Sequence, residues 1–279
     1  NKKRSRNITI GAVVGFLLSC TAVMGADSHL WIKGDSGKIQ FNTTETADDD
    51  GSWNDGNPYS NNNWDKDTEP KTYTNNTVLS SNGANGKGMN NKKISYGLRL
   101  SGDLTDVNFI NNDSITGEIS DSSIDYGPGY GIYNESTKMG NIENTGVING
   151  SNNGQNSSTG FGIVNNNSAE MGNITNTGVI SGFGSGGGST YAFGIFNDNS
   201  NSSGDGKIGN ITNTGIISGS AAGIYNNNSD SSNDGKTGNI TNTGVIYGKT
   251  NAIKNDNGTI GTVDNYGILA TQGDSVIKG

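Results

Sequence analysis

Cysteine, histidine, proline and charge are all scarce in this chain. The one cysteine, Cys20, has no partner, so no intrachain disulfide framework is available. The one histidine, His29, leaves no histidine cluster for a metal and a single base for any serine triad. Hydrophobic residues make up 29% and charged residues 16% of 279. So thin an apolar supply excludes a thick globular core, and such poverty usually accompanies disorder. Setting aside the basic start (Lys2, Lys3, Arg4, Arg6) leaves 14 basic against 26 acidic groups. That balance excludes the usual basic nucleic-acid binder, and no nucleic-acid partner is expected.

Glycine and asparagine are plentiful instead, with 45 and 44 copies, and they recur in a pattern. Gly-Asn-Ile-Thr-Asn-Thr-Gly-Val-Ile-Ser-Gly begins at Gly172, with close copies at Gly140, Gly209 and Gly238 and a fading one at Gly261. An older copy runs from Asn108 to Gly117. Each follows a short Gly-Ile element: Gly97-Leu98, Gly131-Ile132, Gly162-Ile163, Gly194-Ile195, Gly223-Ile224 and Ala252-Ile253. Spacings of 34, 31, 32, 29 and 29 residues between these elements mark a repeat architecture.

Within a copy the apolar signal alternates, as in the comb Ile174, Asn176, Gly178, Ile180. A period of two places these side chains on one face of an extended chain. Asn-x-Gly in mid-comb reads as a bend joining two short strands, because glycine and asparagine tolerate positive φ. The Gly-Ile element supplies a third strand. The expected fold is therefore all-β: a right-handed parallel β-helix, or β-solenoid, of about six coils with three short strands per coil, spaced about 4.8 Å apart. Asn111, Asn144, Asn176, Asn213, Asn242 and Asn265 are expected to stack as an inward ladder, since a buried amide is tolerable only when the next coil satisfies it.

Length changes are read as confined to one stretch. From the Gly of Gly-Ile, or its equivalent, to the residue opening the second strand is 10, 9, 10, 15, 15 and 9 residues, whereas the following six residues keep their length. Residues 1–26 read as a signal peptide, basic then apolar then small. Leu17-Leu18-Ser19-Cys20 also matches a lipobox, though ordinary cleavage after Gly25 or Ala26 is preferred. Residues 27–95 carry no clear repeat and are expected to form an irregular cap, with a hairpin over 29–41, a loop over 48–71 and a decayed coil at 76–81. Residues 96–279 form the repeats, read as truncated because Ser275-Val276-Ile277-Lys278 starts another coil.

Gly-Ile-Tyr/Phe-Asn followed by Gly-Asn-Ile-Thr-Asn-Thr-Gly-Val-Ile-Ser-Gly, behind a signal peptide, resembles repeats in autotransporter (type V secretion) passenger domains of Gram-negative bacteria, including fusobacterial adhesins. The resemblance covers Gly97 to Leu269. It implies a β-helix carried to the cell surface by an outer-membrane β-barrel, secreted or surface-exposed, and often adhesive toward a host or bacterial protein or glycan. It specifies no ligand.

Candidate chemistry is sparse. Gly34-Asp35-Ser36-Gly37 matches a serine-protease nucleophile motif, but His29 lies only seven residues away with no room for the required domain, so a hairpin turn is expected. His29 itself reads as a strand residue beside Trp31. Asp205 and Asp234, with Asp198 nearby, could share a cation between coils, yet no calcium-site spacing accompanies them and solvated turns are preferred. Asp48-Asp49-Asp50 reads as a solvated acidic patch. Arg99 is the residue on which a polysaccharide-cleaving alternative depends. Parity sends Tyr133, Val164, Phe196 and Tyr225 outward, a possible ligand-contact stripe, and places Tyr130, Phe161 and Phe193 inward with the isoleucines. The expectation is a non-catalytic adhesive passenger without a cofactor or catalytic or metal site. The alternatives are a polysaccharide-cleaving β-helix enzyme and a structural stalk presenting a domain outside this chain.

Overall fold

Alternation along each repeat, and the burial it makes possible, produce three parallel sheets wound into a β-solenoid. A computed structural model describes residues 28–43, 53–82, 84–85, 93–120, 127–154, 158–185, 191–200, 205–228, 235–273 and 275–279. The proposed signal segment, Cys20, Asp48-Asp49-Asp50 and Asp234 lie outside them. From Lys93 to Thr271 the chain passes six times through sheet A, then B, then C. One full coil runs through Gly127–Met139, Ile142–Asn144 and Val147–Asn152. Each strand pairs in parallel with its equivalents one coil away.

Isoleucine lines the interior because one inward position per strand repeats at every level. Ile132, Ile163, Ile195, Ile224 and Ile253 stack from sheet A, Ile142, Ile174, Ile211 and Ile240 from sheet B, and Ile148, Ile180, Ile217 and Ile246 from sheet C. All are buried in one cluster. At about 1.5–3 kcal/mol for each side chain removed from water, the columns supply a large driving force from a chain poor in apolar residues.

Residues 28–82 are more regular than a cap of irregular structure. Leu30–Asp35 pairs in parallel with Lys93–Leu104, Lys71–Asn75 with Val107–Asn111, and Leu79–Ser81 with Ser114–Ile119. They form a leading coil in the same A, B, C order, with two antiparallel arms inserted. Lys38–Asn42 folds back on Leu30–Asp35, completing the expected hairpin. Ser36 and Gly37 have φ of 51° and 81°, so Gly34-Asp35-Ser36-Gly37 is its tight turn. Asn63–Asp65, in the stretch read as loop, pairs antiparallel with Lys71–Asn75. Phe41 and Trp64 pack with their ring centres 5.5 Å apart, and Tyr73 stacks on Phe109 at 5.9 Å, joining these arms to the main core.

Asparagine does three jobs. Asn75, Asn111, Asn144, Asn176, Asn213, Asn242 and Asn265 form one ladder, each Nδ2 donating to the next Oδ1 at 2.7–2.9 Å. Asn134, Asn165, Asn197, Asn226 and Asn255 form a second, at 2.7–2.8 Å. This ladder is the Asn of Gly-Ile-Tyr/Phe-Asn. The third column is at the surface: Asn108, Asn141, Asn173 and Asn210 each accept the backbone N–H of the equivalent Asn one coil on, at 2.8–2.9 Å.

Glycine is needed for close approach. The bend at Gly178 carries no positive φ, contrary to the reason expected from sequence; a Cβ there would lie 2.0 Å from the Gly146 carbonyl oxygen. Sheets C and A also touch where one strand gives way to the next. A Cβ on Gly150 would lie 1.9 Å from Phe161 O and 2.4 Å from Gly129 O. That connection varies too, correcting the reading of a single variable stretch. From Gly117, Gly150, Gly182, Gly219 and Gly248 to the next Gly-Ile element, or its Ala252 equivalent, is 14, 12, 12, 4 and 4 residues.

Three substitutions test these constraints by urea unfolding. Asn176→Asp keeps the shape but removes the donor to Asn213; it is expected to cost about 2–4 kcal/mol, and the same change at exposed Asn265 under about 1 kcal/mol. Equal costs at the two positions would show that ladder burial is not what matters. Gly150→Ala must push two backbones apart and is expected to destabilise by at least about 3 kcal/mol.

Candidate ligand-binding face

Sheet A bends at Gly131, Gly162 and Gly194, and this bend overturns the parity argument for the aromatic residues. Those glycines are skipped in the pairing between neighbouring strands, and a Cβ on Gly131 would meet Ile148 Cγ2 at 2.7 Å. Residues on either side of the bend then converge outside it: Tyr130 and Tyr133 have ring centres 4.7 Å apart, and Phe193 and Phe196 4.9 Å. Tyr130, Phe161 and Phe193 therefore leave the isoleucine core, where sequence had placed them. They join Tyr133, Val164, Phe196 and Tyr225 in a second, external cluster.

The proposed stripe is a true column outside the core, but it is covered. Pairing aligns Trp31, Arg99, Tyr133, Val164, Phe196, Tyr225 and Lys254 at successive levels. Val164, Phe196 and Tyr225 expose only 3%, 8% and 5% of their surface. Rings face one another along the rod: Tyr96 on Tyr130 at 5.3 Å and 8°, Tyr130 on Phe161 at 5.4 Å and 18°, Phe196 on Tyr225 at 5.1 Å and 9°. Faces so occupied are closed to a stacking sugar ring, which corrects the picture of an open platform. Tyr191 is the more accessible ring, 55% exposed and edge-on to Phe193.

A cation lies against the rings near each end of the array, Arg99 between Trp31 and Tyr133 and Lys254 beyond Tyr225. The Arg99 guanidinium lies 3.9 Å from the centre of the Trp31 ring and 5.4 Å from that of Tyr96, and pairs with Glu135 at 2.6 Å. At the other end Lys254 Nζ lies 4.3 Å from the Tyr225 ring centre and 2.5 Å from Asp256, whose carboxylate also accepts the Tyr225 hydroxyl at 2.8 Å. A cation over a ring face is favoured by the ring quadrupole. Aligning Gly97-Leu98-Arg99 and Ala252-Ile253-Lys254 with Gly131-Ile132-Tyr133 would have revealed both ends in the sequence.

Burial governs the ionisation of the array. It pushes Tyr96 up to about 12, offset in part by Arg99 and assisted by Glu135. Burial also raises Tyr130 and Tyr133, reinforced by their neighbours' charges, and Tyr225, reinforced by Asp256. For Asp256, burial alone would raise the carboxyl, yet the donors Lys254 and Tyr225 hold it below the usual range. Among the sequence candidates, Asp205 is exposed and Asp198 accepts the Ser200 N–H and the Asn227 amide. Among the described residues no group of three His, Cys, Asp or Glu side chains is placed to hold a metal ion.

Comparison with family models, with curated proteins and with solved structures finds no match for this chain. The phenols give a test independent of any ligand. A Tyr96 pKa raised from 10.0 to about 12 means stability is fully present below pH 10 and is lost as pH rises through about 12. Tyr96→Phe is expected to flatten that alkaline loss in thermal unfolding. An unchanged slope would mean Tyr96 titrates as a free phenol.

Proposed function

We propose that this chain is a rigid, non-catalytic binding rod of the autotransporter-passenger kind. It is displayed or secreted at the surface of a Gram-negative bacterium and adheres to a host or bacterial protein or glycan. Delivery by an outer-membrane β-barrel belongs to the same reading. One observation carries the choice of side. Both connections that change length, after sheet C and after sheet A, border sheet A, whereas the bend between B and C is constant. Variable loops around an invariant frame are where repeat proteins place partner-specific contacts. The stacked rings fix the bent frame between those loops, with exposed Tyr191 and half-exposed Glu135 and Asp198 at its margin.

A lyase built on Arg99 is the less favoured reading, because that guanidinium is already shared between a carboxylate and a ring. Binding of the purified chain to epithelial cells, a glycan panel and whole bacteria tests the proposal. Shortening 199–206 to the two residues that coil six uses, 257–258, is expected to weaken binding at least about tenfold with the circular dichroism unchanged. No binding to any of these surfaces would overturn adhesion. Release of reducing or unsaturated sugar ends, abolished by Arg99→Ala, would establish the enzyme instead.

A further inference from the structure

The tyrosines packed on this rod fall into two kinds. Tyr59, Tyr73 and Tyr225 donate their hydroxyls to His29 O, Asn57 Oδ1 and Asp256 Oδ2 at 2.7–2.9 Å. Tyr96, Tyr130 and Tyr133 are half-buried at the corner of sheet A, and their hydroxyls make no hydrogen bond to the described residues. Further along the same corner Phe161, Phe193 and Phe196 stack without a hydroxyl. Stacking therefore does not call for the three phenols, and a half-buried phenol without a partner carries a desolvation cost that phenylalanine avoids.

The three rings touch, but not alike. Tyr96 and Tyr130 lie nearly parallel at 5.3 Å, whereas Tyr133 is tilted 52° to Tyr96 at 5.2 Å and 51° to Tyr130 at 4.7 Å. Tyr130 is clasped on both faces, by Tyr96 and by Phe161 at 5.4 Å. Tyr133 has Val164 in place of a ring at the next level of its column, which leaves it more room to turn.

We propose that Tyr96 and Tyr133 are an oxidative cross-linking site, where a haem peroxidase with hydrogen peroxide joins the first coil to the second as dityrosine. Each phenol loses one electron, and its hydroxyl proton passes to water. The two aryloxyl radicals couple through ring carbons ortho to oxygen, forming one C–C bond. The proton on each of those carbons then moves to oxygen, restoring both hydroxyls and both aromatic rings. The two electrons and two protons given up convert hydrogen peroxide to two waters. A tilted pair presents the edge carbons of one ring to the other, as this bond requires, and stacked faces do not. Rings held in contact couple within the chain faster than between chains. The bond links positions 37 residues apart in a chain whose one cysteine can form no intrachain disulfide.

The test oxidises the dilute, folded chain with haem peroxidase and hydrogen peroxide, in a Tyr191→Phe, Tyr266→Phe background that removes two exposed phenols. Dityrosine fluorescence is expected in the monomeric fraction, and mass spectrometry is expected to find Tyr96 joined to Tyr133, two hydrogens lighter than the separate peptides. Tyr133→Phe keeps the ring, and with an unchanged circular dichroism it is expected to lower the intrachain yield at least about tenfold. Tyr130→Phe is expected to leave that yield within about twofold, and prior unfolding in urea to lower it as far as Tyr133→Phe does. The cross-linked chain is expected to unfold at higher urea than the untreated one. No dityrosine, dityrosine only between chains, or a product joining Tyr130 to Tyr133 would overturn the proposal. So would a yield that survives Tyr133→Phe or urea.

Discussion

A buried amide that only the next coil can satisfy is the interaction from which the rest of the fold follows. Asn176 has no water to bond, so its Nδ2 reaches Asn213 Oδ1 at 2.7 Å while its own Oδ1 accepts from Asn144. This geometry fixes both the height and the lateral register of successive coils, and one slipped residue would leave the whole column unpaired. Both ladders point the same way along the rod. Their first oxygens are satisfied within the chain, Asn75 Oδ1 by the Asn62 amide and Asn134 Oδ1 by the Ser136 N–H. Aligned amide dipoles polarise one another, so inner rungs are held more firmly than an isolated pair would be.

Once height is fixed, glycine and aromatic residues settle the cross-section. Gly117, Gly150 and Gly182 let sheets C and A meet backbone to backbone, with no room for a side chain between them. The chain must then swing outward around Ile148 and its equivalents, and the swing makes an external corner lined by neighbouring strand residues. Aromatic side chains fill that corner because they bury large areas and stack at close to the rung spacing. Arg99 joins Trp31 to the stack at one end and Lys254 finishes it at the other, the first held by Glu135 of the neighbouring strand and the second by Asp256 two residues along its own. The corner is thus a consequence of the glycine contact.

Period-two alternation and a period near 30 residues suffice to read the β-solenoid from sequence, because coil stacking uses the same side chain at the same place each time. Of the leading coil only the sheet C strand, within the decayed coil read at 76–81, was legible, because 36–70 separates its sheet A strand from its sheet B strand and Leu30 and Tyr73 do not look like one repeat. Parity failed at Tyr130 for a reason invisible in alternation: Gly131 interrupts the strand pairing while leaving the count of residues unchanged. The second ladder was legible as the Asn of Gly-Ile-Tyr/Phe-Asn, two residues beyond the inward isoleucine and so of the same parity. Exposure was harder still, since whether Phe196 meets water depends on Phe161, Phe193 and Tyr225, which lie on three different coils.

The separation of interior from exterior bears on how such a rod can specialise. The inner columns are mostly Ile, Asn and Gly, with Tyr73 and Phe109 continuing the Ile142 column at the leading end, because every coil must fit the one before it. Outward positions carry no such demand; Glu143, Thr175, Thr212, Thr241 and Asp264 occupy one column with different chemistry and the same backbone. Uniformity of the threonines in the middle of that column is therefore not required by the fold. Neither is the concentration of length changes around sheet A, since the coil closes equally well with the shorter connections of Gly219 to Gly223 and Gly248 to Ala252. Features the scaffold leaves free, and that are nonetheless ordered along it, are where selection for binding would leave its mark. On this rod they fall on two opposite sides, one varied in loop length and one uniform in side chain.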